Sequence, residues 1–231
     1  MIKNKNVIKF AGLGAIFLMP AFFLLFFESG THTFYNLPKY GPKTPLENGD
    51  TLFYQIPEFS FTNQFGESYG SEQLENKIIV ANFIFTRCPS ICPDMTYKML
   101  RLQWKLDDPA FEDLKFISTS VDPEYDTPEV LEKFGRKNDA DFNRWNFLTG
   151  DRTEIYTFAA EGLFLAASED VLAPGGFLHS EKCVLIDRNG YIRGFYDGTD
   201  FEEIDRLEAD LKLLLKEEKV LAKEAEDNNN D

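Results

Sequence analysis

The hydrophobic pattern divides the chain into one long apolar run, a Pro- and Gly-rich stretch, and a series of short segments with readable periods. The run is "FAGLGAIFLMPAFFLLFF" at 10–27, eighteen residues without a charge, extended upstream by Val7 and Ile8. That length reaches the lower end of what crosses a hydrocarbon core, and Pro20 is tolerable inside a membrane helix. Past residue 51 the segments shorten. "IPEFSFTNQFGESYG" predicts a hairpin turning near Asn63 and Gly66. "KIIVANFIF" (77–85) is apolar throughout, as a strand buried on both faces must be. From Pro93 a helical stripe carries Met95, Met99, Leu102 and Leu106.

"LKFISTSVD" (114–122) predicts a second strand, and "DTPEVLEKFGRK" a helix capped by Asp126 or Thr127 with Pro128 in its first turn. "WNFLTG" (145–150) reads as a strand and "RTEIYTFAAEGL" as a helix. "KCVLIDRNGYIRGFY" predicts a hairpin with Asn189-Gly190 at its tight turn. A closing amphipathic helix puts Phe201, Ile204, Leu207, Leu211 and Leu214 on its buried face. The order is hairpin, βαβα, β, α, hairpin, α. It predicts an α/β, thioredoxin-like three-layer domain, a central mixed sheet flanked by helices.

The expected organisation is a cytoplasmic stub and transmembrane anchor at 1–30, a tether at 31–50, the folded domain at 51–218, and a flexible acidic tail at 219–231. Lys3, Lys5 and Lys9 precede the apolar run, so the leading end stays cytoplasmic and the rest is exported. The competing reading is a cleaved signal peptide. The run is long for one, and "FFESGTHT" offers no small-residue cleavage site and no cysteine for lipid. With too few residues ahead of it for an Arg-rich presequence, the anchor predicts a bacterial inner-membrane, single-pass protein whose C-terminal domain faces the periplasm.

Composition narrows the function. The net charge of −15, from 24 basic and 39 acidic residues, excludes a basic nucleic-acid face. Phe is common, at 23 copies in 231 residues, which favours a packed domain.

Two of the three cysteines, Cys88 and Cys92, stand in "FTRCPSICPDM", between the buried strand and the helix. Pro93 biases Cys92 away from helical dihedrals. Both thiols are therefore expected on an exposed loop at a helix N-terminus, where unpaired N–H groups and nearby Arg87 favour thiolate. A structural staple, a redox pair and one side of a metal clamp all remain open. A staple here would close a very short loop and stabilise little. A copper ion held by two thiolates would accept an imidazole as third donor. Of two histidines, His32 lies in the tether and reads as a surface residue, while His179 lies in the loop before the last hairpin. Cys183 is four residues past His179; on one strand it would share that face, and a buried core cysteine is the expectation. Met95 and Met99 read as packing.

"NFIFTRCPSICPDMT", "STSVDPEYDTPEVL" and "FLHSEKCVLIDRNGYI", in that order, closely resemble the SCO/SenC family of membrane-anchored copper proteins, over about residues 53 to 215. The resemblance implies a metallochaperone that assists assembly of the CuA centre of cytochrome c oxidase. It implies Cys88, Cys92 and His179 as ligands of Cu(I) or Cu(II), and Asp122 close to the metal loop. The implied partners are the oxidase's copper-binding subunit and a copper donor protein. Two alternatives use the same thiols: a thiol–disulfide oxidoreductase that reduces the acceptor's cysteines, and a redox or copper sensor. As a chaperone the protein has no catalytic residue.

Overall fold

The computed structural model of the chain describes residues 36–47, 49–169 and 177–229. The expected membrane span at 10–27 and His32 lie outside them. Among the described residues no helix is long and apolar enough to cross a membrane.

Strands β1 (Lys43–Pro45) and β2 (Thr51–Phe53) pair antiparallel. β3 (Ser60–Asn63) and β4 (Ser68–Gly70) form the opening hairpin, with Gly66 at a φ of 78° in its turn. Then come β5 (Ile78–Ile84), helix α1 (Ile91–Lys105), a 3₁₀ turn at Pro109–Phe111, and β6 (Leu114–Ser120). Helix α2 (Pro128–Lys137) leads to β7 (Trp145–Thr149), and α3 (Arg152–Thr157) continues into a π-helical turn, Phe158–Gly162. The last elements are β8 (Ala167–Glu169), β9 (Phe177–His179), β10 (Lys182–Ile186), β11 (Ile192–Asp197) and α4 (Phe201–Asn229).

Seven strands make the main sheet in the order β11-β10-β5-β6-β7-β3-β4. The β5–β6–β7 centre is parallel, and the flanking pairings are antiparallel. The sheet is the predicted mixed one, flanked by helices. Every residue of β5 is buried, because helices cover both faces and β10 and β6 both edges. Its one polar side chain, Asn82, accepts from Ser118 Oγ at 2.6 Å, and Ser118 Oγ in turn accepts from Trp145 Nε1 at 2.9 Å. The α1 stripe behaves as its spacing predicts, with Met95, Met99, Leu102 and Leu106 fully buried.

Three expectations change. Phe201 is not on the buried face of α4. It begins the helix, 44% exposed, with Lys98 Nζ 4.3 Å from its ring centroid. The helix itself runs to Asn229, through much of the stretch expected as a flexible tail. Part of the expected tether is held to the sheet. Tyr40 N–H bonds Ile192 O at 2.9 Å, and the buried Arg193 donates to Leu37 O at 2.7 Å and Pro38 O at 3.2 Å. Asp187 and Glu217 neutralise that guanidinium at 2.8 and 2.7 Å. This anchoring comes from long-range polar contacts, so no hydrophobic period announces it.

Candidate functional site

Strand β5 ends at Ile84, and the chain crosses loop 85–90 before α1 begins at Ile91. The expected start was Pro93. Proline suits a first turn, where its missing N–H has no carbonyl to bond, so Pro93 is carried inside the helix and Cys92 with it. Cys88 stays in the loop. The thiols are also not exposed as expected: Cys88 is 8% and Cys92 1% accessible.

The helix N-terminus explains how the thiols differ. Ser90, at the N-cap, makes no side-chain cap bond. Cys88 Sγ takes that place, accepting the backbone N–H groups of Cys92 and Ser90, with Ser90 Oγ at 3.8 Å. Amides otherwise left orphaned at a helix start favour an anion. Burial is the largest influence on Cys88 and raises it. The N–H groups of Cys92 and Ser90, then the side chains of the same residues, outweigh burial and hold the thiol below its ordinary value. Cys92 goes the other way. Burial dominates and, despite a backbone hydrogen bond at Phe85, pushes this thiol far up, with facing Cys88 adding to the shift. All three cysteines are free thiols. Two adjacent sulfurs, one biased to thiolate, suit both soft-metal binding and thiol exchange.

Below the loop sits Asp126, fully buried. Its carboxylate accepts Thr86 N–H at 3.0 Å, the Thr86 hydroxyl, and Ser120 Oγ–H at 2.5 Å. Burial raises its pKa; the bonds from Ser120 and Thr86 oppose that rise.

A family model described as SCO1/SenC matches residues 51–216. The chain belongs to the SCO1/SenC family. A relative, the SCO1 protein homolog of Bacillus subtilis (strain 168), is 36% identical over 164 residues, covering 71% of this chain and 84% of its own. Among solved structures, BsSco is described as a member of the Sco family of cytochrome c oxidase assembly proteins in which a disulfide switch was identified. It aligns with a TM-score of 0.62 at 34% identity, over 70% of this chain and 94% of its own. Bradyrhizobium japonicum ScoI, solved with copper bound, aligns with a TM-score of 0.54 at 25% identity, over 69% and 98%.

Of the SCO1/SenC candidates, Cys88 and Cys92 are brought together. His179 ends β9, its backbone paired with Ala167 of β8; its side chain lies outside the described residues. Asp122 is buried and ion-paired with Arg87 at 2.5 Å, and Arg87 in turn lies 4.0 Å from the Tyr125 ring centroid. It reaches the thiol loop through Arg87. Cys183 is on β10, not on one strand with His179, since β9 ends before Ser180. It is fully buried and donates to Met99 Sδ at 3.6 Å, and burial pushes its thiol up to about 12. Among the described residues no three His, Cys, Asp or Glu side chains are gathered for a metal.

Sequence reasoning missed Thr86 and Ser120, and of its two cap candidates for α2 it is Thr127 that holds the position. The N-cap of α2 is Thr127, without a side-chain cap bond, and Asp126 faces the thiol loop instead. The available signal was the second aspartate of "VDPEYDTP", which reads locally as a cap.

Proposed function

We propose that this protein is a membrane-anchored copper metallochaperone that assists assembly of the CuA centre of cytochrome c oxidase. One observation carries the reading: in a SCO1/SenC chain, two reduced thiols meet at a helix N-terminus whose amides favour a sulfur anion at Cys88. Cys88 and Cys92 supply two soft donors and His179 the third. The cargo passes to the oxidase's copper-binding subunit by exchange of these donors for the acceptor's. The apolar run at 10–27 holds the domain at the periplasmic face of a bacterial inner membrane. Tethering there raises its effective concentration near a membrane-bound partner. The copper-bound relative and the oxidase-assembly relative support the same assignment.

The second reading is thiol–disulfide exchange, favoured by the unequal thiols and by the disulfide switch of BsSco. In it the Cys88 thiolate attacks one sulfur of an acceptor disulfide and expels the other as thiolate. Cys92 then attacks Cys88 and releases the reduced acceptor, leaving a Cys88–Cys92 disulfide.

His179 separates the two. In the full chain in detergent, His179→Ala should lower copper retention steeply and leave the Cys88–Cys92 reduction potential nearly unchanged. Copper stoichiometry and Cu(II)–thiolate absorption that survive His179→Ala would rule out the ligand assignment. Disulfide turnover by the metal-free protein, abolished in Cys88→Ser, would establish the exchanger instead.

A further inference from the structure

We propose that Asp126 is a positioning residue: together with Asp122 it grips the two residues leading into Cys88 and so presets the thiol pair. The proposal deepens the copper reading, and only its second readout depends on that reading.

The turn after β6 holds the thiol loop at two consecutive residues. Thr86 is fixed through both its N–H and its hydroxyl by the Asp126 carboxylate. Arg87 is fixed by the Asp122 carboxylate. The two acids are built as one unit. Ser120 Oγ donates to Asp126 at 2.5 Å and accepts Asp122 N–H at 3.0 Å, and the N–H groups of Tyr125 and Asp126 close onto Asp122 O at 3.1 and 2.9 Å. On the far side of Cys88 the loop is fixed by α1, whose first amides bond the sulfur. Those bonds form only if Cys88 is held against the helix end from its own N-terminal side, and Thr86 and Arg87 provide that hold.

Local capping does not account for Asp126. The three donors of Thr86 and Ser120 occupy its oxygens, and α2 starts without a side-chain cap bond. A carboxylate taken fully out of water is costly unless it is hydrogen-bonded. Here its bonds tie the end of β6, at Ser120, to the thiol loop, at Thr86.

Isosteric replacement separates anchoring from charge. In Asp126→Asn the amide oxygen can accept Thr86 N–H and Ser120 Oγ–H, while its NH₂ donates to a rotated Thr86 hydroxyl. Asp126→Ala removes every bond, and Thr86→Val removes the hydroxyl alone. The first readout is amide hydrogen exchange of peptides spanning 85–92 in the metal-free, reduced full chain. Asp126→Ala and Thr86→Val should speed it about tenfold, with β10–β11 peptides unchanged and Asp126→Asn close to wild type. The second is Cu(I) competition against a chromophoric Cu(I) chelator, where the same two variants should bind about tenfold more weakly and Asp126→Asn should not.

Wild-type exchange in both disrupting variants would overturn the proposal. So would loss in Asp126→Asn equal to that in Asp126→Ala, which would make the charge and not the grip responsible. If Asp126→Ala does not fold, Thr86→Val decides alone. A wild-type chain that takes no Cu(I) would refute the copper reading, while the exchange readout would still decide the grip.

Discussion

If the helix end sets the thiols apart, their chemistry should be separable by pH. The perturbation is alkylation of the reduced, metal-free full chain with iodoacetamide from pH 5 to 10, read peptide by peptide by mass spectrometry. An ordinary thiol near 8.5 is about 3% thiolate at pH 7. Cys183, pushed up to about 12, is ionised to about one part in 10⁵ at that pH. That is about three-thousandfold below an ordinary thiol, before its complete burial slows reagent access. Cys92 is shifted up as well and is nearly inaccessible. Cys88 alone lies below the ordinary value. Labelling should therefore reach completion at Cys88 before either other cysteine reacts, with a midpoint below the ordinary thiol range. In Cys88→Ser, Cys92 should remain slow, because burial outranks the repulsion that the substitution removes. Comparable labelling of Cys92 and Cys88, or a Cys88 midpoint at or above that of a free thiol, would refute the argument.

Three further outcomes follow from the packing. Arg193→Met deprives buried Asp187 and half-buried Glu217 of their shared cation and should lower stability by about 3–5 kcal/mol in urea unfolding; the peptide at 36–40 should become protease-sensitive, and unchanged stability would mean the cluster contributes nothing. Gly135→Ala would place a Cβ 2.4 Å from Phe142 Cε1 and 2.9 Å from Phe147 Cε2, so a loss of about 1–3 kcal/mol is expected from overpacking, and a stabilised variant would contradict it. Cys183 has a raised folded-state pKa, so its contribution is complete below the unfolded thiol value of about 8.5 and declines as pH climbs toward about 12. The stability gap between wild type and Cys183→Ala should be flat below about pH 8 and narrow above it; a gap that widens has the opposite sign and refutes the assignment.

Much of the domain was legible because its elements follow local periods. β5 is a continuous apolar run, the α1 stripe repeats at helical spacing, and Asn189-Gly190 marks a turn whose glycine sits at a φ of 77°. The cysteine pair was visible for the same reason, as a short spacing at a strand–helix junction. What escaped depends on partners far along the chain. Asp126 meets Thr86 forty residues upstream, and no local rule distinguishes a cap from a carboxylate turned toward another strand. Leu37 and Pro38 are held by Arg193 across more than 150 residues, so a Pro-rich stretch looks like a tether although side chains bind it. The start of α1 was misplaced because proline tolerates several first-turn positions and only tertiary contacts choose among them.

The donors proposed for copper are carried by parts of the fold built differently, and that difference bears on how a cargo leaves. Cys88 and Cys92 are rooted in the loop after β5 and the first turn of α1, with the loop gripped at Thr86 and Arg87 by Asp126 and Asp122 and capped by helix amides. His179 is carried by the β8–β9 pair, which is not part of the seven-stranded sheet. Donor exchange with an acceptor requires one ligand to withdraw while the others still hold the ion, and the ligand on the smaller, separate sheet can move with the least disturbance of the core. In the proposed site the thiols would then be the preset half and His179 the detachable half. On this argument His179→Ala leaves amide exchange across 85–92 unchanged in the metal-free protein, whereas Thr86→Val raises it with the imidazole intact. Loop exchange that responds to His179→Ala would show the two halves to be mechanically one unit, and release would then have to begin at the sulfurs.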